Sequence, residues 1–208
     1  MDKTTIAVQV FDEQARNYQD KYMDQSLYGN TLDLFCSSLP PGKATVLDLA
    51  CGPGNITRYL LQQRPELQLL GLDLAPAMLE LARSNNPGAT FAQMDCRDIA
   101  GLNDRYHGLV CGFVLPYLDR AEALKLIADA AVLLLPGGIF YLSTIEGPYS
   151  SSGLYTSSNG KQVYMHYYEA PDLIPAVEAA GLELLHTQQQ SSPGPMGTMD
   201  LILVARKV

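Results

Sequence analysis

Three carboxylates stand where short apolar runs give out: Asp48 in Val46-Leu47-Asp48-Leu49, Asp73 after Gly71-Leu72, and Asp95 after Met94. Asp48 leads into Ala50-Cys51-Gly52-Pro53-Gly54, a loop of small residues that lets a ligand approach the backbone. A tight strand–helix turn with no ligand has the same look. Asp73 follows Gly54 by nineteen residues, the place where doubly wound folds hold the two hydroxyls of a ribose. It could also cap a helix opened by Pro76, a role that need not exclude the first, and the loop upstream favours ribose. Asp95 is a third acid at a strand's carboxyl end, a ligand contact or an exposed loop residue. The dinucleotide fingerprint needs a third glycine, and Gly52-Pro53-Gly54-Asn55-Ile56-Thr57 supplies Thr57 instead; no phosphate-loop Lys-Ser/Thr is present either. An acid such as Asp48 beside the loop suits a cationic, amino-acid-bearing cofactor better than a pyrophosphate.

Other reactive side chains are scattered. Cys36, Cys51, Cys96 and Cys111 form no Cys-x-x-Cys pair, and His107, His166 and His186 lie far apart, so no metal site is expected. The cysteines read as reduced, small buried residues. If a general base is used, His166 and then Tyr18 are the candidates; the plainer alternatives are a surface histidine on a hairpin and a core-facing tyrosine.

The elements that must position these residues follow from periodicity. Phe11, Ala15, Tyr18 and Tyr22 share one helical face, and Tyr28, Leu32, Phe35 and Leu39 share another, so residues 1–40 read as two helices. Strands are predicted at Thr45–Ala50, Leu67–Leu72, Ala89–Gln93, Leu109–Val114 and Ile139–Thr144, with helices at Ile56–Gln63 and Ala77–Arg83. A further helix carries Leu124, Ile127, Ala128 and Ala131 on one face and stops at Pro136-Gly137-Gly138. Glu146–Ala170 is Tyr-, Ser- and Gly-rich, with Asn159-Gly160 predicted as a hairpin turn. On its second arm Tyr164, His166 and Tyr168 would oppose Val163, Met165 and Tyr167. A helix over Pro171–Ala180 and an antiparallel pair, Leu182–Thr187 and Asp200–Lys207, complete the chain. The expected fold class is α/β: a doubly wound, Rossmann-like seven-stranded sheet, mostly parallel with an antiparallel last strand, helices on both faces. One domain is expected over 1–208, divided into a helical lid (1–40), a cofactor-binding core (41–145), an inserted hairpin or substrate loop (146–170) whose tyrosines could frame an acceptor pocket, and a final helix with two strands (171–208).

Composition narrows the partners. The 208 residues are 47% hydrophobic and 17% charged with net charge −8, a globular balance that repels phosphate backbones and anionic lipid. No apolar run reaches the ~18–20 residues of a membrane span, and Met1-Asp2-Lys3-Thr4-Thr5 lacks a basic, apolar leader. The expectation is a cytoplasmic monomer or homodimer with no nucleic-acid or membrane partner.

Together Asp48–Gly54, Gly71–Asp73 with Met78, and Asp95-Cys96 resemble the first three motifs of class I S-adenosylmethionine-dependent methyltransferases of the small-molecule type. Tyr106–Leu118 resembles the fourth motif, and Leu133–Thr144 and Gly181–Leu184 the entries to strands five and six. The resemblance implies S-adenosyl-L-methionine as cofactor, S-adenosyl-L-homocysteine as product, and a small-molecule acceptor methylated on O, N, S or C. It implies that Ala50, Cys51, Gly52 and Gly54 line the methionine moiety and that Asp73 holds the ribose. Leu74 and Met78 would flank the adenine and Asp95 receive its amino group beside Cys96. Phe113 and Val114 would lie near the sulfonium, and Tyr18 would reach the cofactor from the lid. His107 and Pro116-Tyr117 depart from the family's common residues around strand four. The alternatives are a non-catalytic S-adenosylmethionine-binding regulator and an NAD(P)-dependent oxidoreductase.

Overall fold

The computed structural model describes residues 3–156, 160–193 and 197–208. The N-terminus forms three helices rather than two. α1 (Lys3–Glu13) and α2 (Ala15–Tyr22) are separated at Gln14, whose φ/ψ of −106°/11° is not helical, so Phe11 lies on α1 and Ala15, Tyr18 and Tyr22 on α2. The hydrogen bonds nearly continue through the break (Gln14 N to Val10 O, Tyr18 N to Gln14 O), which is why one periodic face spans two helices. α3 (Gly29–Ser38) buries Leu32 and Phe35 completely, with Tyr28 and Leu39 buried at its ends.

Alternating strands and helices follow: β1 (Thr45–Leu49), α4 (Asn55–Gln63), β2 (Gln68–Asp73), α5 (Pro76–Asn85), β3 (Thr90–Gln93), β4 (Tyr106–Gly112), α6 (Arg120–Leu133) and β5 (Leu134–Glu146). The hairpin β6 (Gly153–Thr156) and β7 (Gln162–Met165) precedes α7 (Ala170–Ala179), β8 (Leu182–Ser191) and β9 (Met199–Lys207). The seven-stranded sheet has the order β3-β2-β1-β4-β5-β9-β8. β9 runs antiparallel to both β5 and β8, and β1 to β5 pair in parallel. Val46, Leu47, Leu49, Leu109, Val110 and Cys111 are all within 0% exposure, the continuous apolar run of strands covered on both faces. Reversal of strand order on either side of β1 and β4 opens a crevice at their carboxyl ends.

Two local expectations change. α6 buries Ala123, Leu126, Ile127, Ala130 and Ala131, whereas Leu124 is 39% exposed and Ala128 also faces outward. Its sequence is apolar on several faces, so two helical phases fit, and packing against the sheet and α7 selects one. β5 begins not at Ile139 but at Leu134, which pairs with Tyr106; the ladder is then interrupted until Ile139 meets Gly108. Pro136-Gly137-Gly138 is therefore an irregularity within the strand, where a proline without an N–H is tolerated. The hairpin is a separate two-stranded sheet pairing Gly153 with Met165 and Thr156 with Gln162. Of its predicted Asn159-Gly160 turn, Asn159 lies outside the described residues and Gly160 has φ +80°.

Candidate functional site

A pocket lies over the carboxyl ends of β3, β2, β1 and β4, with about 760 Å3 of empty space counting the open solvent at its mouth. Each strand delivers its wall residues as it ends: Met94, Asp95 and Cys96 after β3, Asp73 and Leu74 from β2, Ala50 and Gly52 after β1, Gly112, Phe113 and Val114 from β4. Ala75 and Met78 enter with α5, Tyr117 and Leu118 with the turn after β4, and Thr4, Ala7, Val8, Phe11 and Tyr18 roof the space from α1 and α2. Ala50 (φ +51°) and Phe113 (φ +55°) are the non-glycine residues at positive φ among the described residues, and both line the pocket. Backbone strain of this kind, ~1–3 kcal/mol per residue, persists where surrounding structure holds it and clusters at functional sites.

Asp73 ties the loop after β1 to the start of α5: its carboxylate accepts from Gly52 N (2.8 Å, Oδ2) and Ala75 N (2.8 Å, Oδ1). The helix-capping alternative is thus part of its role, and each oxygen keeps a second lone pair for a ligand. Burial pushes its pKa up against those N–H bonds. Asp95 accepts from the Arg97 backbone (2.9 Å) and side chain (2.6 Å to Oδ2), and Arg97 also bonds Glu122 at 2.9 Å. Burial raises the Asp95 carboxyl, but the Arg97 bonds outweigh it and hold it below its usual value. Asp95 therefore borders the pocket with its charge already balanced.

Asp48 is placed differently: it is 1% exposed, beneath the loop and off the pocket wall, accepting from Thr57 Oγ1 at 2.7 Å. Burial pushes its carboxyl up to about 7, the Thr57 hydroxyl opposing. Cys51 and Gly54 are also off the wall. Gly54 (φ +75°) opens α4, and a Cβ there would come 2.3 Å from Asn86 Nδ2, which donates to Gly54 O (3.0 Å) and Ala82 O (3.2 Å). Its hydrogen atom buys close packing of α5 against the loop rather than ligand access. Burial pushes the thiols of Cys51, Cys96 and Cys111 upward, Cys96 to about 12, which keeps them protonated.

Three rings of the lining, with Tyr22 beside them, form a chain. Tyr117 meets Phe11 (4.9 Å, 84°), Phe11 meets Tyr18 (5.8 Å, 82°) and Tyr18 meets Tyr22 (4.8 Å). Burial drives the Tyr18 and Tyr117 hydroxyls well above their ordinary pKa, so both are neutral at physiological pH. His166 is neither on the surface nor on the wall. It is 4% exposed, against Tyr149 (5.7 Å) and Tyr164 (4.8 Å), and its N–H donates to Pro116 O at 2.7 Å. Ala7 of α1 packs on Val163 and Met165 and draws the hairpin into the body. Burial, then Lys3, hold the imidazole pKa below 6.5. His107 sits at the amino end of β4, bonding Thr45, away from the pocket.

Sequence reasoning put Tyr18, Ala50, Gly52, Asp73, Leu74, Met78, Asp95, Cys96, Phe113 and Val114 together, and all line this one pocket. It missed Thr4, Ala7, Val8, Tyr117 and Leu118. Thr4, Ala7, Val8 and Phe11 have the 3- and 4-residue spacing of a helix face, the signal that was available. Among the described residues, no three His, Cys, Asp or Glu side chains group as a metal site, and no helix is long and apolar enough to cross a membrane.

Residues 46–138 match the family model described as a methyltransferase domain. That stretch resembles a methyltransferase domain. It is 50% identical over 97 residues to trans-aconitate 2-methyltransferase of Methylobacterium nodulans, covering 46% of this chain and 36% of that enzyme. The curated relatives are matched over only part of their length, between 23% and 60% for the first five. The methyltransferase fold extends over the whole chain: magnesium protoporphyrin IX methyltransferase of Synechocystis PCC 6803, solved with bound SAM, superposes with TM-score 0.75 at 19% identity, covering 100% of this chain and 98% of that one. Burkholderia thailandensis 1,6-didemethyltoxoflavin-N1-methyltransferase, with its substrate and S-adenosylhomocysteine, gives TM-score 0.73 at 22% identity over 98% and 88%.

Proposed function

We propose that this chain is an S-adenosylmethionine-dependent methyltransferase acting on a small molecule, a single unit in which residues 1–40 close over a core of 41–145. The observation that carries the reading is the wall: acids at the ends of β2 and β3, apolar faces between them, and no Lys, Arg or His among the described lining residues. Such a wall suits a sulfonium and an adenosine and disfavours a pyrophosphate, which needs cationic or clustered N–H partners. That separates the reading from an NAD(P)-dependent oxidoreductase.

The residues fit the cofactor. Asp73 has spare lone pairs for ribose hydroxyls, Leu74 and Met78 are apolar flanks for a purine, and Asp95 and Cys96 border its edge. Ala50 and Gly52 present backbone with little or no side chain. Phe113, Val114 and Tyr18 lie toward the reacting end; Asp48, Cys51 and Gly54 shape the loop from below. When bound, S-adenosylmethionine would supply a methyl group on a sulfonium: the acceptor's lone pair forms the new bond, the C–S electron pair stays on sulfur, and any proton on the acceptor atom leaves to bulk solvent as the product departs. The protein's contribution is alignment at ~3–3.5 Å and exclusion of water. His166 lies off the wall and Tyr18 is held neutral, so the carboxylates on the lining are those of Asp73 and Asp95.

The same reading makes the chain a cytoplasmic monomer or homodimer without nucleic-acid partners, supported by net charge −8. Calorimetric titration with S-adenosylhomocysteine and with NADH tests it. Binding of the first alone is expected, and tight NADH binding without it would overturn the assignment. A non-catalytic regulator would bind S-adenosylhomocysteine yet transfer no labelled methyl to any member of a metabolite panel.

A further inference from the structure

We propose that the acceptor taken at the β4 end of the pocket is a flat, apolar, uncharged molecule bearing a hydroxyl, thiol or amine, and that Tyr117 orients it. The inference rests on the methyltransferase reading. The pocket crosses four neighbouring strand ends, three steps of ~4.8 Å or about 14 Å. The two acids occupy its β3 and β2 side, so an adenosine held there leaves the β4 side for the acceptor.

That side is walled by Ala7, Phe11, Val114, Tyr117 and Leu118, with Thr4 at its edge. Its polar groups are two hydroxyls. Tyr117 is fixed from both ends: its N–H bonds Val114 O at 3.0 Å, its ring packs edge-on against Phe11 at 4.9 Å, and the preceding Pro116 carbonyl accepts from His166 N at 2.7 Å. Its hydroxyl makes no hydrogen bond among the described residues. A rigid ring with an unengaged, neutral hydroxyl is a preorganised donor for one heteroatom of a bound molecule.

The cations adjoining these segments are committed elsewhere. Lys3, next to Thr4, sits 3.5 Å above the Tyr164 ring. Arg120, two residues past Leu118, pairs with Asp172 at 2.8 Å and lies over Tyr149. Arg97 is held by Asp95 and Glu122. A carboxylate entering the subsite would lose its hydration with no Lys, Arg or His of the described lining to pair with, in the same pocket as the Asp73 carboxylate. A neutral aromatic molecule would lose little and gain edge-on contacts with Phe11 and Tyr117. The acceptor class therefore differs from the polycarboxylate in the name of the 50%-identical relative.

The test is calorimetry on the purified chain, first with S-adenosylhomocysteine and then, on the saturated complex, with 2-naphthol, 2-naphthoate and trans-aconitate. No S-adenosylhomocysteine binding overturns the methyltransferase reading itself. With it bound, 2-naphthol is expected to bind about tenfold or more tighter than 2-naphthoate, which has the same rings with a carboxylate, and tighter than trans-aconitate. Equal or tighter binding of either acid, or no binding of 2-naphthol, overturns the acceptor class. Tyr117→Phe is expected to weaken 2-naphthol roughly five- to tenfold, one hydrogen bond's worth, with S-adenosylhomocysteine affinity and melting temperature unmoved. An unchanged 2-naphthol Kd in that variant overturns the role of Tyr117.

Discussion

The two ends of the pocket are built in opposite ways. The acidic end comes from one stretch of chain, Thr45 to Cys96, in which three strands deliver loop, Asp73 and Asp95 in order. Its polar groups are bonded before any ligand arrives, Asp73 to Gly52 and Ala75 and Asp95 to Arg97. The β4 end joins α1 to the Leu115–Tyr117 turn, segments about a hundred residues apart, and the hairpin braces both through Ala7–Val163–Met165 and His166–Pro116. Its hydroxyls are unengaged. One end is preorganised by local backbone geometry; the other exists only when a lid, a turn and a hairpin meet. A fixed cofactor platform with an exchangeable acceptor wall is what such a division permits.

The contrast can be broken from the rigid side first. Gly54→Val combines a disallowed φ with overlap onto the twice-bonded, buried Asn86; a stability loss of ~3–5 kcal/mol by urea denaturation is expected. A well-folded variant would mean the loop is not the rigid part. Asp48 gives a pH signature. Its folded pKa of about 7 stands above the ordinary 3.8, so the folded state holds the extra proton between these values. Its contribution to stability is full below about 3.8, falls as pH rises through that window and levels off above about 7. Asp48→Asn keeps the Thr57 bond and should flatten this slope, with up to ~4 kcal/mol recovered at pH 8; parallel slopes in the two proteins would exclude Asp48 as its source. Asp73→Ala is expected to weaken S-adenosylhomocysteine by ~1.5–3 kcal/mol, measured calorimetrically on folded protein. Unchanged affinity would remove it from the ribose site.

The lid supplies the smaller effects. Asp12 Oδ1 accepts from Ala77 N at 2.7 Å, tying α1 to the first turn of α5. Asp12→Ala should cost about 1 kcal/mol and speed S-adenosylhomocysteine dissociation a few-fold by stopped flow. An unaltered rate would show that this tie does not gate release. Glu13–Lys161 (2.5 Å) links lid to hairpin with both side chains well exposed; Glu13→Gln should change stability by no more than ~0.5 kcal/mol, vanishing in high salt. A larger, salt-insensitive change would make the hairpin a stronger brace than its exposure implies.

The platform was legible because its signals are local. β1, β2 and the loop between them lie within a residue or two of their predicted limits, since apolar runs buried on both faces and small-residue turns are written in adjacent positions. Asp73 was read as ribose ligand or helix cap, and the structure engages it with the helix start while leaving lone pairs over. Asp48 looked equivalent to it in sequence, as a strand-end acid. The pleat turns alternate side chains to opposite faces, and Asp48 falls on the one covered by Thr57, so only geometry separated the two. His166 was read as a candidate base or a surface residue, and its burial against Tyr149 and Tyr164 was not legible because a polar, Tyr-rich hairpin carries no sign of what packs on it.

By itself, then, the sequence determined the sheet, its order of strands and helices, and the acidic end of the pocket, because backbone sterics, burial periodicity and strand-end loops are near-neighbour properties. The tertiary structure alone decided which acids face the cavity, which cations are spent on other partners, and that Tyr117 and α1 close a second, uncharged end. Those depend on which distant surfaces come together, and hydrophobic contact is non-directional: it says that Ala7, Val163 and Met165 will be buried, not against whom.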